Sequence, residues 1–184
     1  MFKIVKDTDK KIFEKCEPVE MPLSDELRKT ALEMVEYLKK SQDDEWANKN
    51  NVRSGVGLAA PQIGLQKRMF AIYYEKYDEN NNPVVVQYSL VNPKIVMTSN
   101  RMVAIKSGEG CLSVDSDHSG YVYRHHKIIL KAFDVLQNKD ITITAYGYDA
   151  IVLQHEYDHL DGILYYERIN KDNPQQEIPN SYLI

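Results

Sequence analysis

The sequence predicts an α+β protein in which antiparallel β-sheets pack around a central helix, with another helix near the N-terminus. Three observations carry this. An amphipathic helical pattern runs early, from Ser24 to Lys40, segments rich in β-branched and aromatic residues fill the middle, and a further helical stretch, roughly Asp149 to Leu160, comes late. Sheet material gathered ahead of a late helix gives the α+β order, not the strand-helix alternation of a parallel sheet.

With 184 residues and 43% apolar content, the chain is near the usual size of one domain and can bury a real core, so residues 1–184 read as a single domain. The 23 basic and 27 acidic residues are mixed along it, giving a net charge of −4. No basic face is concentrated enough to suggest nucleic acid as a partner. No apolar run approaches the roughly 20 residues needed to span a bilayer, and Met1 to Lys11 lacks the apolar core of a secretory signal. The cytosol is therefore the expected compartment, and the two cysteines, Cys16 and Cys111, are too few for a disulfide framework.

Taken in order, the first helix has Ser24 as its cap, Asp25 and Glu26 at the positive end, and Leu27, Ala31, Met34, Val35 and Leu38 as one apolar stripe. Its polar face carries nothing that resembles chemistry, so it reads as scaffold. Ser41 to Asn51 is polar and reads as a loop with Trp46 as its apolar anchor. Gly55-Val-Gly-Leu-Ala-Ala-Pro-Gln62 is crowded with small residues, and its exposed main chain can approach a ligand closely. It lacks the Lys-Ser/Thr ending of a phosphate loop. Arg68 to Glu75 and Val84 to Val91 form a predicted hairpin across an Asn-rich turn, and a further strand is expected from Val91 to Thr98 after Asn92-Pro93. Ile128 to Phe133 and Ile141 to Ala145 continue the series. Gly162 is the expected stop of the late helix, and Pro174 and Pro179 exclude one long helix beyond it.

The chemistry concentrates in Gln154-His-Glu-Tyr-Asp-His159, a His-Glu-x-x-His pattern. On a helix His155 and His159 share one face and can grip a single metal ion, while Glu156 stands beside them to handle protons. A third ligand is still needed. Cys111, in Glu109-Gly-Cys-Leu-Ser113, would make a thiolate and two imidazoles, a set suited to Zn(II) or Fe(II). Glu167 or Glu177 would instead complete a glutamate-type peptidase site, and His118, His125 or His126 would add a third imidazole. Ile151 and Val152 lie four and three residues before His155, beside the ligand face. Asp158, Glu109 and Arg124 supply charges able to fix a histidine tautomer or tie down the Cys111 loop.

Together, Gly55 to Gln62, Glu109 to Ser113 and Gln154 to His159 resemble the three signature motifs of the peptide deformylases, in the family's order. The long segment before the first motif and the non-helical tail resemble the longer class of these enzymes, common in Gram-positive bacteria; Val114-Asp115 stands where many members have proline. The resemblance implies that Cys111, His155 and His159 bind one divalent metal, natively Fe(II), with Zn, Ni or Co able to occupy the site. It makes the substrate an N-formylmethionyl nascent peptide, hydrolysed to formate by attack of metal-activated water with Glu156 as general base. It gives the oxyanion hole to the Gln62 side chain and the Leu112 N–H. It places Val56, Gly57 and Gly110 along the substrate backbone, and Tyr148, Ile151 and Val152 around the methionine side chain. Small size and mixed charge suggest a monomer, and the substrate is compatible with transient ribosome contact. The competing functions are a peptidase with Glu167 or Glu177 as ligand, and a peptide-binding module without turnover, for which Glu156 and Gln62 would have no purpose.

Overall fold

In the computed structural model, which describes residues 2–184, the first helix, α1 (Asp25–Ser41), starts where its cap directs. The Ser24 side chain accepts from the Leu27 N–H, and the buried face carries Ala31, Met34, Val35 and Leu38 together with Tyr37 and Ser41. The expected loop that follows is in fact a short helix, α2 (Asp44–Asn50). Asp43 caps it by accepting from the Trp46 N–H, and Asn51 closes it at φ 52°. None of its residues is buried, so it carries no apolar periodicity to read.

The strands are β1 (Gly57–Ala59), β2 (Met69–Tyr77), β3 (Pro83–Thr98), β4 (Met102–Ala104), β5 (Arg124–His125), β6 (Lys127–Asp134) and β7 (Lys139–Tyr146). Helix α3 (Gly147–Leu160) follows, starting two residues ahead of expectation, and β8 (Ser181–Leu183) lies in the tail. The larger sheet has five strands in the order β1-β2-β3-β6-β7, every neighbour antiparallel. The predicted hairpin is its centre, in register from Tyr77 opposite Pro83 to Met69 opposite Val91.

The two strands expected on either side of Asn92-Pro93 are one strand, β3, with an irregularity between Val91 and Lys94. Asn92 sits there at φ 51°, and its side chain bonds the backbone N–H and C=O of Val19, each at 2.8 Å. The bulge is thus held from outside the sheet, and it absorbs a proline that has no N–H to give a ladder. The smaller sheet runs β5-β4-β8, and its β4-β8 pair is parallel, the exception to an antiparallel expectation.

β2 shows why the larger sheet is buried on both faces. Met69 and Ala71 join the cluster around α1, whereas Phe70, Ile72 and Tyr74 join the one around α3, as the two-residue side-chain period requires. Helix α3 is therefore inside the molecule, packed on the sheet through Ala150, Val152, Leu153 and Leu160. Gln154 ties it to β5, accepting from the His125 N–H at 3.0 Å and donating to the His125 carbonyl at 2.9 Å. Gly162 ends it at φ 74°, where an added Cβ would lie 2.2 Å from the Phe13 carbonyl oxygen, so only glycine fits.

Candidate metal centre

Because α3 is enclosed, the His-Glu-x-x-His residues project into the protein rather than toward solvent. His155 and His159 lie on one face, and the segment from Glu109 to Ser113 crosses that face. Cys111, His155 and His159 each offer one ligand atom, and these atoms all lie within 4.8 Å of one another. Cys111 Sγ stands 3.3 Å from His159 Nε2. The donor set is one sulfur and two imidazole nitrogens, a set that suits a divalent transition metal.

The other proposed third ligands are engaged elsewhere. Glu167 accepts from the Leu164 N–H at 2.8 Å, and Glu177 is exposed in the tail. His118 stacks on Tyr166 with ring centroids 4.3 Å apart, His125 Nδ1 pairs with the Ser99 carbonyl, and His126 Nδ1 pairs with the Tyr182 hydroxyl.

A buried ion network supports the site. His155 Nδ1 is 2.8 Å from Glu109 Oε2, and Arg124 donates to both Glu109 oxygens at 2.6 and 2.9 Å. Arg124 also donates to Asp158 at 2.8 Å, and Arg168 completes the chain with two bonds to the same carboxylate at 2.5 and 2.6 Å. Glu109 therefore orients one histidine. Asp158 acts on the arginines and not on a ligand, and the Nδ1 of His159 has no partner among the described residues.

Charge follows from this arrangement. Burial opposes ionisation of Glu109, but Arg124 and His155 outweigh it and hold the carboxyl down at about 2. Burial likewise opposes the Cys111 thiolate, yet His159 and His155 bring the group well below the ordinary thiol range. Glu156 lies at the other extreme: burial is the largest influence and raises it to about 7. Its Oε2 is buried with no hydrogen-bond partner among the described residues. A thiolate and two imidazoles that converge beside an unpaired buried carboxylate fit a metal ion that activates water.

The site opens into a cavity of about 430 Å³. Its wall includes Val56, Gly57, Gln62, Gly110 and Leu112 from the segments around β1 and Cys111, and Tyr148, Ile151, Val152, His155 and Glu156 from α3, while His159 is buried outside that lining. Gln62 is almost fully enclosed. Its Oε1 accepts from the Ala59 N–H at 2.8 Å, which turns Nε2 toward Ser113 Oγ at 3.2 Å and Cys111 Sγ at 3.5 Å. Two glycines that look alike in sequence differ here. A Cβ on Gly57 would meet Glu156 Oε1 at 2.1 Å, whereas one on Gly110 would meet nothing within 4 Å. Arg53, Ser54, Ile105 and Ser107 also line the cavity, and the motifs did not point to them.

The sequence model described as Polypeptide deformylase matches residues 1–175. The chain belongs to the peptide deformylase family. A peptide deformylase of Ligilactobacillus salivarius (strain UCC118) is 43% identical over 174 residues, covering 95% of this chain and 92% of its own. Peptide deformylase 2 of Bacillus subtilis (strain 168) is 43% identical over 184 residues, covering 100% and 97%. Both relatives are Gram-positive, in keeping with the longer class. The crystal structure of peptide deformylase from Thermus thermophilus is similar at TM-score 0.71 and 31% identity, covering 94% of this chain and 87% of that one. The activity that comes with this membership is removal of the formyl group from an N-terminal methionine. None of the helices is long and apolar enough to cross a membrane, among the described residues.

Proposed function

We propose that this enzyme hydrolyses the formyl amide of N-formylmethionyl peptides, with Cys111, His155 and His159 holding one divalent ion and Glu156 carrying the proton. The observation that carries this reading is the meeting of three metal-ligand atoms and an unpaired buried carboxylate at one cavity. Fe(II) is the native ion of this reading, with Zn, Ni or Co able to take its place. When bound, the ion supplies Lewis acidity, making water more acidic and polarising the formyl oxygen.

The protein's own groups do the rest. Glu156 accepts the proton of the attacking water and returns it to the departing amine. The Gln62 amide and the Leu112 N–H donate to the formyl oxygen as it gains charge. Val56, Gly57 and Gly110 accommodate the substrate backbone beside β1, and Tyr148, Ile151 and Val152 enclose the methionine side chain. In this reading the chain is one domain acting as a cytoplasmic monomer on nascent peptides, in transient contact with the ribosome.

The test is formate release from a short formyl-Met peptide by anaerobically purified protein, with bound metal quantified and Glu156→Ala as control. Release that requires Glu156 and about one metal per chain is the expected result. A metal-loaded protein that releases no formate refutes the reading.

A further inference from the structure

The segment carrying Cys111 has its carbonyls held from outside. Arg53 donates to the Cys111 carbonyl at 2.5 Å and to the Val114 carbonyl at 2.9 Å. Lys6 donates to the Leu112 carbonyl at 2.8 Å, and the Asp7 N–H donates to the Ser113 carbonyl at 2.9 Å. These peptide bonds are trans, so each carbonyl points opposite to the N–H that shares its plane. The Lys6 bond shows the consequence directly: with Leu112 O turned outward, the Ser113 N–H points at Cys111 Sγ, 3.4 Å away. One plane earlier, Arg53 on the Cys111 carbonyl turns the Leu112 N–H away from the guanidinium. That N–H makes no hydrogen bond among the described residues.

We propose that Arg53 is a positioning residue for deformylation, gripping the Cys111 and Val114 carbonyls so that the Leu112 N–H is aimed at the formyl oxygen. This rests on the oxyanion role given to Leu112 above. A guanidinium is suited to the task because its planar fork bonds two acceptors at a fixed spacing, which a lysine ammonium does not reproduce. The Arg53 side chain is 51% exposed and outside the apolar core, so its loss removes aim rather than packing. Asp115, bound to Lys6 at 2.6 Å and 3.7 Å from Arg53, keeps the two cations at the same segment.

The test compares wild type, Arg53→Met and Arg53→Lys for kcat and KM on a formyl-Met tripeptide, each expressed per bound metal. A misplaced oxyanion donor is expected to lower kcat about 10- to 100-fold in Arg53→Met, with KM changed less than about threefold. Arg53→Lys, which keeps one grip, should fall between the two and stands in if Arg53→Met does not fold. Wild-type kcat per metal in whichever variant folds, or a loss explained wholly by missing metal, overturns the proposal while leaving the function intact. No formate release by the metal-loaded wild type overturns both.

Discussion

Gly57→Ala tests the site with a single methyl group. The added Cβ would sit 2.1 Å from Glu156 Oε1, 2.5 Å from its Cδ and 2.7 Å from its Cγ, against an ordinary contact of 3.4 Å or more. The backbone of Gly57 has little room to retreat, because it is paired with Ile72 at the edge of the five-stranded sheet, and α3 behind the carboxylate is fixed by the core. What can give is the Glu156 side chain, which must swing by more than about 1 Å. A displacement of that size at a reacting group can cost about 100-fold in rate. The three atoms nearest that methyl all belong to Glu156 and none to Cys111, His155 or His159, so metal content should remain at the wild-type level. The assay is formate release per bound metal, with a thermal midpoint to exclude unfolding. Full turnover by a folded Gly57→Ala protein would refute the claim that the glycine exists to seat Glu156.

Gln62→Leu should slow turnover by about 100-fold by removing one donor, and should also lower stability by about 1–3 kcal/mol because the buried Ala59 N–H loses its acceptor; kinetics and denaturant unfolding read the two effects separately. Cys111→Ser should abolish turnover and weaken metal retention severely, whereas a peptidase relying on Glu167 or Glu177 would keep both, as metal analysis after dialysis will show. Glu109→Gln should weaken metal affinity about 10- to 100-fold in a chelator competition, since the carboxylate orienting His155 is lost. Glu109 also sets an acid limit: its carboxyl falls from 4.5 in the free group to about 2 in the folded protein, so the stability it contributes is complete above pH 4.5 and is lost as pH falls toward 2. Metal-free wild type should therefore lose more stability across that window than metal-free Glu109→Gln, in thermal midpoints measured against pH.

The parts legible in the sequence are those fixed by local chemistry. Ser24 and the stripe behind it announce α1, alternating β-branched residues announce the β2-β3 hairpin, and two histidines four apart announce one helical face. The parts that were not legible depend on partners far along the chain. Nothing near Ser181 shows that it will pair in parallel with Met102, and nothing near Asn92 shows that Val19 will complete its bulge. Arg53 and Arg168 escaped for the same reason, because their acceptors are carbonyls and a carboxylate assembled only by folding. In sequence Gly57 signals clearance for substrate alone, since nothing near it shows that a carboxylate 99 positions later rests on it.

Glu109 explains how a loop and a helix keep one ligand geometry. It precedes Cys111 by two residues, yet its side chain holds His155 on α3 and Arg124 on β5. Moving the cysteine away from the histidines therefore requires breaking a buried carboxylate-guanidinium pair, and leaving such a charge uncompensated costs about 3–5 kcal/mol. The same pair is poor value as stabilisation alone, since an apolar substitute of equal volume can be neutral. Its use is geometric: Arg124 passes the constraint to Asp158, back on α3, so the loop is tied to the helix at His155 and again one turn further on. The Nδ1 of His159 has no partner among the described residues, so it is burial, at 1% exposure, and not a hydrogen bond that sets the orientation of that ring. One ligand is held by packing, one by a hydrogen bond and one by its own loop, and Glu109 is the group that makes the last two a single unit.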